Sequence, residues 1–100
     1  KKGKNVWIGK GTRIAPGVRI KGPCVIGENC TLKENGLIGG FSTIGSNSVI
    51  EERVKLKNCI LWNGVHVRKN VKLVNCIIGN NADISTNISV YEGSVINVRE

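Results

Sequence analysis

One hundred residues make one small domain, and its composition is aliphatic rather than aromatic: 40% of the chain is hydrophobic, only 4% is aromatic, and methionine is absent. Fifteen basic against seven acidic residues give a net charge of +8, which favours acidic partners without specifying one. No charged-then-apolar leader and no apolar run near roughly 18 residues marks the chain for secretion or membrane insertion, so a cytoplasmic location is expected, and the start at Lys1, with the periodic pattern following almost at once, suggests a piece cut from a longer protein.

From Ile8 an aliphatic residue recurs at every sixth position, through Ile14, Ile20, Ile26, Leu32, Ile38, Ile44, Ile50 and Leu56. Six residues carry an α-helix about two-thirds of a turn past its starting direction, so a helix would scatter this series over its surface. A short strand and a tight corner, repeated, would instead aim every aliphatic at the centre of a polygonal coil. After Leu56 the step shortens to five residues at Leu61, resumes through Val67 and Leu73, shortens again to Ile78, and continues through Ile84, Val90 and Ile96. Both short steps share a form, LKNCIL and LVNCII, and read as a corner variant that keeps register.

Two positions before each aliphatic lies a second inward slot, because alternate residues of a strand face the same side. It holds small or β-branched residues almost throughout, including Cys24, Cys30, Cys59 and Cys76, with Ser94 the last. The four cysteines are therefore expected to be small buried hydrophobes. Cys59 and Cys76 fall one coil apart, near disulfide distance, while zinc is disfavoured because no second ligand type accompanies them. Three residues after the aliphatic, the corners carry glycine or asparagine, from Gly11 and Gly17 to Asn87 and Gly93, as a positive φ requires. Pro23, Phe41 and Arg53 break that rule, and Gly22 is expected to supply the dihedral that Pro23 cannot adopt.

Three strands close a coil of about 18 residues, which gives a little over five coils and three faces. The outward residue before each aliphatic distinguishes them. On the first face it reads Trp7, Val25, Thr43, Ile60, Ile77 and Val95, apolar outside as well as inside, and Trp62 projects at a corner beside it. Such a stripe marks a contact surface. The second face carries Arg13, Thr31, Val49, His66 and Asp83; the third carries a basic column of Arg19, Lys21, Lys55, Lys57 and Lys72.

The form I-G-x-x-small-x, present as IGKGTR, IGENCT and IGSNSV, resembles the hexapeptide repeat of left-handed parallel β-helices. That resemblance implies an all-β triangular prism of about five coils, and it alone implies the left hand. The stretches GPCVIGENC, NCILWNGVHVRKNV and NCIIGNNADI are similar to the C-terminal domain of sugar-phosphate nucleotidyltransferases of the GDP-mannose pyrophosphorylase type, and to the related γ and ε subunits of the initiation-factor exchange complex. In such proteins the nucleoside triphosphate and magnesium belong to an N-terminal α/β domain whose glycine-rich loop and carboxylates have no counterpart here. No cofactor or metal is expected in these residues.

The expected function is that of a non-catalytic assembly or regulatory domain, docked through the apolar face on its own catalytic domain or on another copy. The basic column would suit an acidic or phosphorylated partner, whereas nucleic acid is disfavoured because only Tyr91 is near enough to stack. One alternative is an acyltransferase fragment using His66, the chain's one histidine, as general base. His66 is expected to face solvent beside Arg68 and Lys69, and the repeat has no inserted loop to build an acceptor pocket. A three-histidine zinc site is excluded within these residues. A stand-alone interaction module is the third reading.

Overall fold

The computed structural model describes residues 5–95, and within them the chain runs as strands, turns and bends with no helix. The first coil holds β1 (Val6–Ile8), β2 (Arg13–Ile14) and β3 (Arg19–Ile20); the second holds β4 (Cys24–Ile26), β5 (Thr31–Leu32) and β6 (Leu37–Gly39). β7 (Ser42–Ile44), β8 (Val49–Ile50) and β9 (Lys55–Lys57) form the third, and β10 (Ile60–Leu61), β11 (His66–Val67) and β12 (Lys72–Val74) the fourth. The fifth contains β13 (Cys76–Ile78), β14 (Asp83–Ile84) and β15 (Ser89–Val90), after which β16 (Gly93–Val95) opens another turn.

Every third strand stacks in parallel: β1-β4-β7-β10-β13-β16 make the first sheet, β2-β5-β8-β11-β14 the second, and β3-β6-β9-β12-β15 the third. Strands of two or three residues cannot stand alone, so each coil is held by the one above and below it. The aliphatic series stacks inside: Ile26, Leu32, Ile38, Ile44, Ile50, Leu56, Leu61, Val67, Leu73 and Ile78 are all buried. Each contributes on the order of 1.5–3 kcal/mol of apolar burial. The small slot is buried beside it, with Cys24, Cys30, Val54, Cys59, Val65, Val71, Cys76 and Ala82 joined by Ser42 and Ser48. Those two hydroxyls do not go unsatisfied, because Ser42 Oγ donates to the Gly39 carbonyl at 2.6 Å and Ser48 Oγ to that of Trp62 at 3.4 Å. Ile88 departs from the expected inward slot: it is 38% exposed, because it precedes β15, which has a neighbouring strand on one side only.

The corners divide more sharply than their residue types imply. Between the first and second sheets the positive φ falls on Gly11, Asn29, Asn47, Gly64 and Asn81; between the second and third it falls on Gly17, Asn35, Arg53, Asn70 and Asn87. Arg53, expected to be an exception, adopts the same backbone state at φ 58. The corner from third to first sheet is the irregular one. It uses Asn5, Gly40, Asn58 and Asn75, and at Gly22–Pro23 a cis peptide, so Gly22 does not supply a positive φ as expected. All the shortened steps lie at this corner.

A third short step corrects the register of the last turn. β16 pairs Gly93 with Cys76, Ser94 with Ile77 and Val95 with Ile78. The step in backbone register from Val90 to Val95 is therefore five residues, Val95 pairs with Ile78 where Ile96 was expected to, and Gly93 belongs to a strand rather than a corner. Ile96 itself lies outside the described residues.

The I-G pairing has a steric cause. A Cβ on Gly27 would stand 2.7 Å from the backbone nitrogen of Ser46, and one on Gly9 would stand 2.7 Å from the Gly27 carbonyl. Successive coils approach too closely there for any side chain.

Candidate functional site: an apolar outer face

The first sheet aligns its outward residues in one column, Trp7 on Val25, Val25 on Thr43, Thr43 on Ile60 and Ile60 on Ile77. Their inward neighbours fill the core, so alternation forces these five side chains into solvent. None carries a charge. Trp7 is 71% exposed, and Val25, Ile60 and Ile77 are each exposed by more than two-fifths.

Phe41, which the sequence pattern marked only as an irregular corner, turns out to be part of this face. It precedes β7, is 73% exposed, and lines a groove of about 770 Å³ with Trp7, Pro23, Val25 and Thr43. Asn58 Oδ1 accepts a hydrogen bond from the Phe41 amide at 3.0 Å, which fixes the backbone that presents the ring. Trp62 is exposed at the opposite corner, directly after β10. Aromatic side chains thus flank the aliphatic column on both edges. Val95, expected as the last outward residue, does not belong to the column, whose register continues at Ser94.

On the second sheet, His66 stands in the outward row and is half-buried. Its Nε2 meets Glu51 Oε2, and it stands in register between Val49 and Asp83. The hydrogen bond from His66 is the main reason that the Glu51 carboxyl lies below the usual carboxylate range, with Lys33 and Arg68 adding smaller attractions against its burial. Arg68 forms a two-pronged ion pair with Asp83, Nε to Oδ1 at 2.9 Å and Nη2 to Oδ2 at 2.8 Å.

The third sheet separates the predicted basic column into two rows. Arg19, Leu37, Lys55, Lys72 and Ser89 stand in one register, whereas Lys57 pairs with Gly39 and Val74 in the other, the row that Lys21 leads. All five predicted cations are exposed. Lys72 Nζ lies 5.4 Å from the centre of the Tyr91 ring.

All four cysteines are free and buried. Their thiols donate to backbone carbonyls, Cys24 to Lys21 at 2.9 Å and Cys59 to Leu73 at 3.1 Å among them. Burial pushes the Cys24 and Cys76 thiols up, and neighbouring Cys59 adds to the rise at Cys76. Among the described residues, no three His, Cys, Asp or Glu side chains converge as a metal site would need. No helix among the described residues is long and apolar enough to cross a membrane.

Stacked six-residue rungs around an aliphatic centre define a hexapeptide-repeat parallel β-helix. Residues 20–99, four-fifths of the chain, match the family described as GMPPB C-terminal domain, and the chain belongs to that family. It is also similar to the probable mannose-1-phosphate guanylyltransferase 2 of Oryza sativa subsp. japonica, with 37% identity over 58 residues. That stretch is 58% of this chain and 16% of the rice protein, so the chain spans well under a fifth of its relative.

Proposed function

We propose that this chain is the non-catalytic assembly domain of a nucleotidyltransferase of the mannose-1-phosphate guanylyltransferase kind, and that it joins a second copy through the outer face of its first sheet. The observation that carries the reading is the uncharged column from Trp7 to Ile77 with Phe41 and Trp62 on its flanks. An antiparallel sheet facing water would carry polar residues there, and parallel sheets are normally covered on both sides.

Size supports self-association. The protein measures 35 × 22 × 20 Å along its principal axes, so one face offers about 35 × 20 = 700 Å². One such face on each copy approaches the roughly 800 Å² per partner of a standard specific interface. At a net charge of +8, two copies can meet without strong repulsion only where the surface is neutral, as this column is. In this reading the stiff prism does mechanical work, holding attached catalytic domains at a fixed separation.

Light scattering from the isolated chain tests the assembly role, with a dimer mass expected. A monomer that gains mass only when a nucleotidyltransferase catalytic domain is added would assign the face to that domain instead. A guanylyl-transfer assay with GTP and mannose 1-phosphate should show no turnover by this chain, and turnover would overturn the non-catalytic part.

One observation favours the acyl-transfer reading: Glu51 bonds His66 as a carboxylate that orients a general base would. Against it, the bond occupies Nε2, and His66 lines neither the groove on the first sheet nor the two grooves at the corner of the second and third sheets. Acetyl-CoA is therefore expected not to bind; binding that His66→Ala abolishes would reinstate this reading.

A further inference from the structure

Arg53 is the only residue with a positive φ, among those described, that is neither glycine nor asparagine. In its own corner column Gly17, Asn35, Asn70 and Asn87 hold the same backbone state. Asparagine tolerates that state far better than a long side chain does, so the fold would be better served by asparagine at this position as well. A residue kept in a costly conformation that its equivalents avoid points to a use for its side chain.

The surroundings indicate the use. Arg53 lines a groove of about 530 Å³ with Lys55 and Lys72, whose strands are adjacent and in register, together with Asn35, Asn70 and Ser89. A smaller groove of about 260 Å³ shares Asn35 and Lys55 with it and leads to Arg19. No carboxylate lines either groove, although Glu34 and Glu52 occupy nearby corner positions. The ion pairs among the described residues use His66 and Arg68, not Arg19, Arg53, Lys55 or Lys72. Four cations therefore converge on one concave strip without an acidic counterpart, beside neutral amide and hydroxyl donors.

We propose that this strip, at the corner of the second and third sheets, binds a small molecule carrying at least two phosphates, of the class of sugar or nucleoside diphosphates. The volume lies in the range of small-ligand sites, roughly 300–1,000 Å³. Arginine supplies the planar fork that phosphate oxygens accept bidentately, with the lysines as point charges on either side. An extended nucleic acid would need stacking rings, and Tyr91, the aromatic beside the strip, lies against Lys72. The site is independent of the apolar face, which lies on another sheet.

Calorimetric titration of the whole chain with inorganic pyrophosphate tests the assignment. Arg53→Asn keeps the corner's backbone in its easiest residue, so the variant should melt at the same or a higher temperature while losing at least about tenfold in affinity. Lys72→Ala should weaken binding too, whereas Lys10→Asn, the same loss of charge at a distant corner, should not. No binding of pyrophosphate by the parent chain would overturn the proposal. Equal weakening by all three substitutions would also overturn it, as would binding of a poly-glutamate peptide in preference to pyrophosphate.

Discussion

Glycine and asparagine do different work in this chain, and substitutions separate the two. At Gly27 the obstacle is contact: the added methyl of Gly27→Ala would press on the Ser46 amide and hydroxyl, both 2.7 Å away. A loss of about 1–3 kcal/mol is expected, read from the denaturant midpoint. Glu51 provides a pH-dependent contribution. Because its carboxyl is depressed in the folded chain, chiefly by the His66 hydrogen bond, the pair stabilises the fold fully above the unfolded glutamate value of about 4.3. That contribution disappears as pH falls through the lower folded value. With both partners part-exposed it amounts to no more than about 1 kcal/mol. Glu51→Gln should flatten the acid limb of a stability-versus-pH curve, and an unchanged limb would deny the pair any role. The cysteines should label with a thiol reagent only at the rate of unfolding, since all four are buried; a thiol that reacts at once in the native chain would contradict the packing.

A strand here is two or three residues, and its stability belongs to the column rather than to itself. Leu56→Ala, in the middle of the third sheet, should cost about 2–5 kcal/mol in equilibrium unfolding, because coils on both sides prevent the cavity from collapsing. Ile88→Ala, at a partly exposed edge, should cost much less. The six-residue spacing made the coils, the inward residues and the cysteines' burial legible in the sequence, since inward and outward positions follow directly from alternation. What stayed hidden was the corner from third to first sheet. Its turns use a cis proline, a glycine or an asparagine at different offsets, and no single residue type announces them. The third short step, from Val90 to Val95, lacks the N-C wording of the other two, so Val95 was expected to pair with Ile77 when it pairs with Ile78. Arg53 was hidden for the converse reason: nothing in an arginine signals a left-handed corner.

For the molecule as a whole, three faces of similar size carry three different chemistries on one scaffold. The apolar character of the first face was legible from the residues that precede each aliphatic, but Phe41 was not, because it joins the face from a corner and only the coil's shape places it beside Trp7 and Val25. The second face carries two ion pairs, and the third presents cations that form no ion pair among the described residues. Membership of the GMPPB C-terminal domain family covers the fold, while the outer surface is what distinguishes the possible roles of such a domain. Ile60 lies at the middle of the apolar column, between Thr43 and Ile77, and points away from the core, so Ile60→Glu can disrupt an interface without disturbing the coils. Sedimentation equilibrium of the parent chain and of Ile60→Glu, with circular dichroism to verify the fold, therefore decides whether the face assembles the protein. A parent dimer and a folded monomeric variant are predicted; a parent chain that stays monomeric at the highest attainable concentration, or a variant that dimerises as well as the parent, would contradict it.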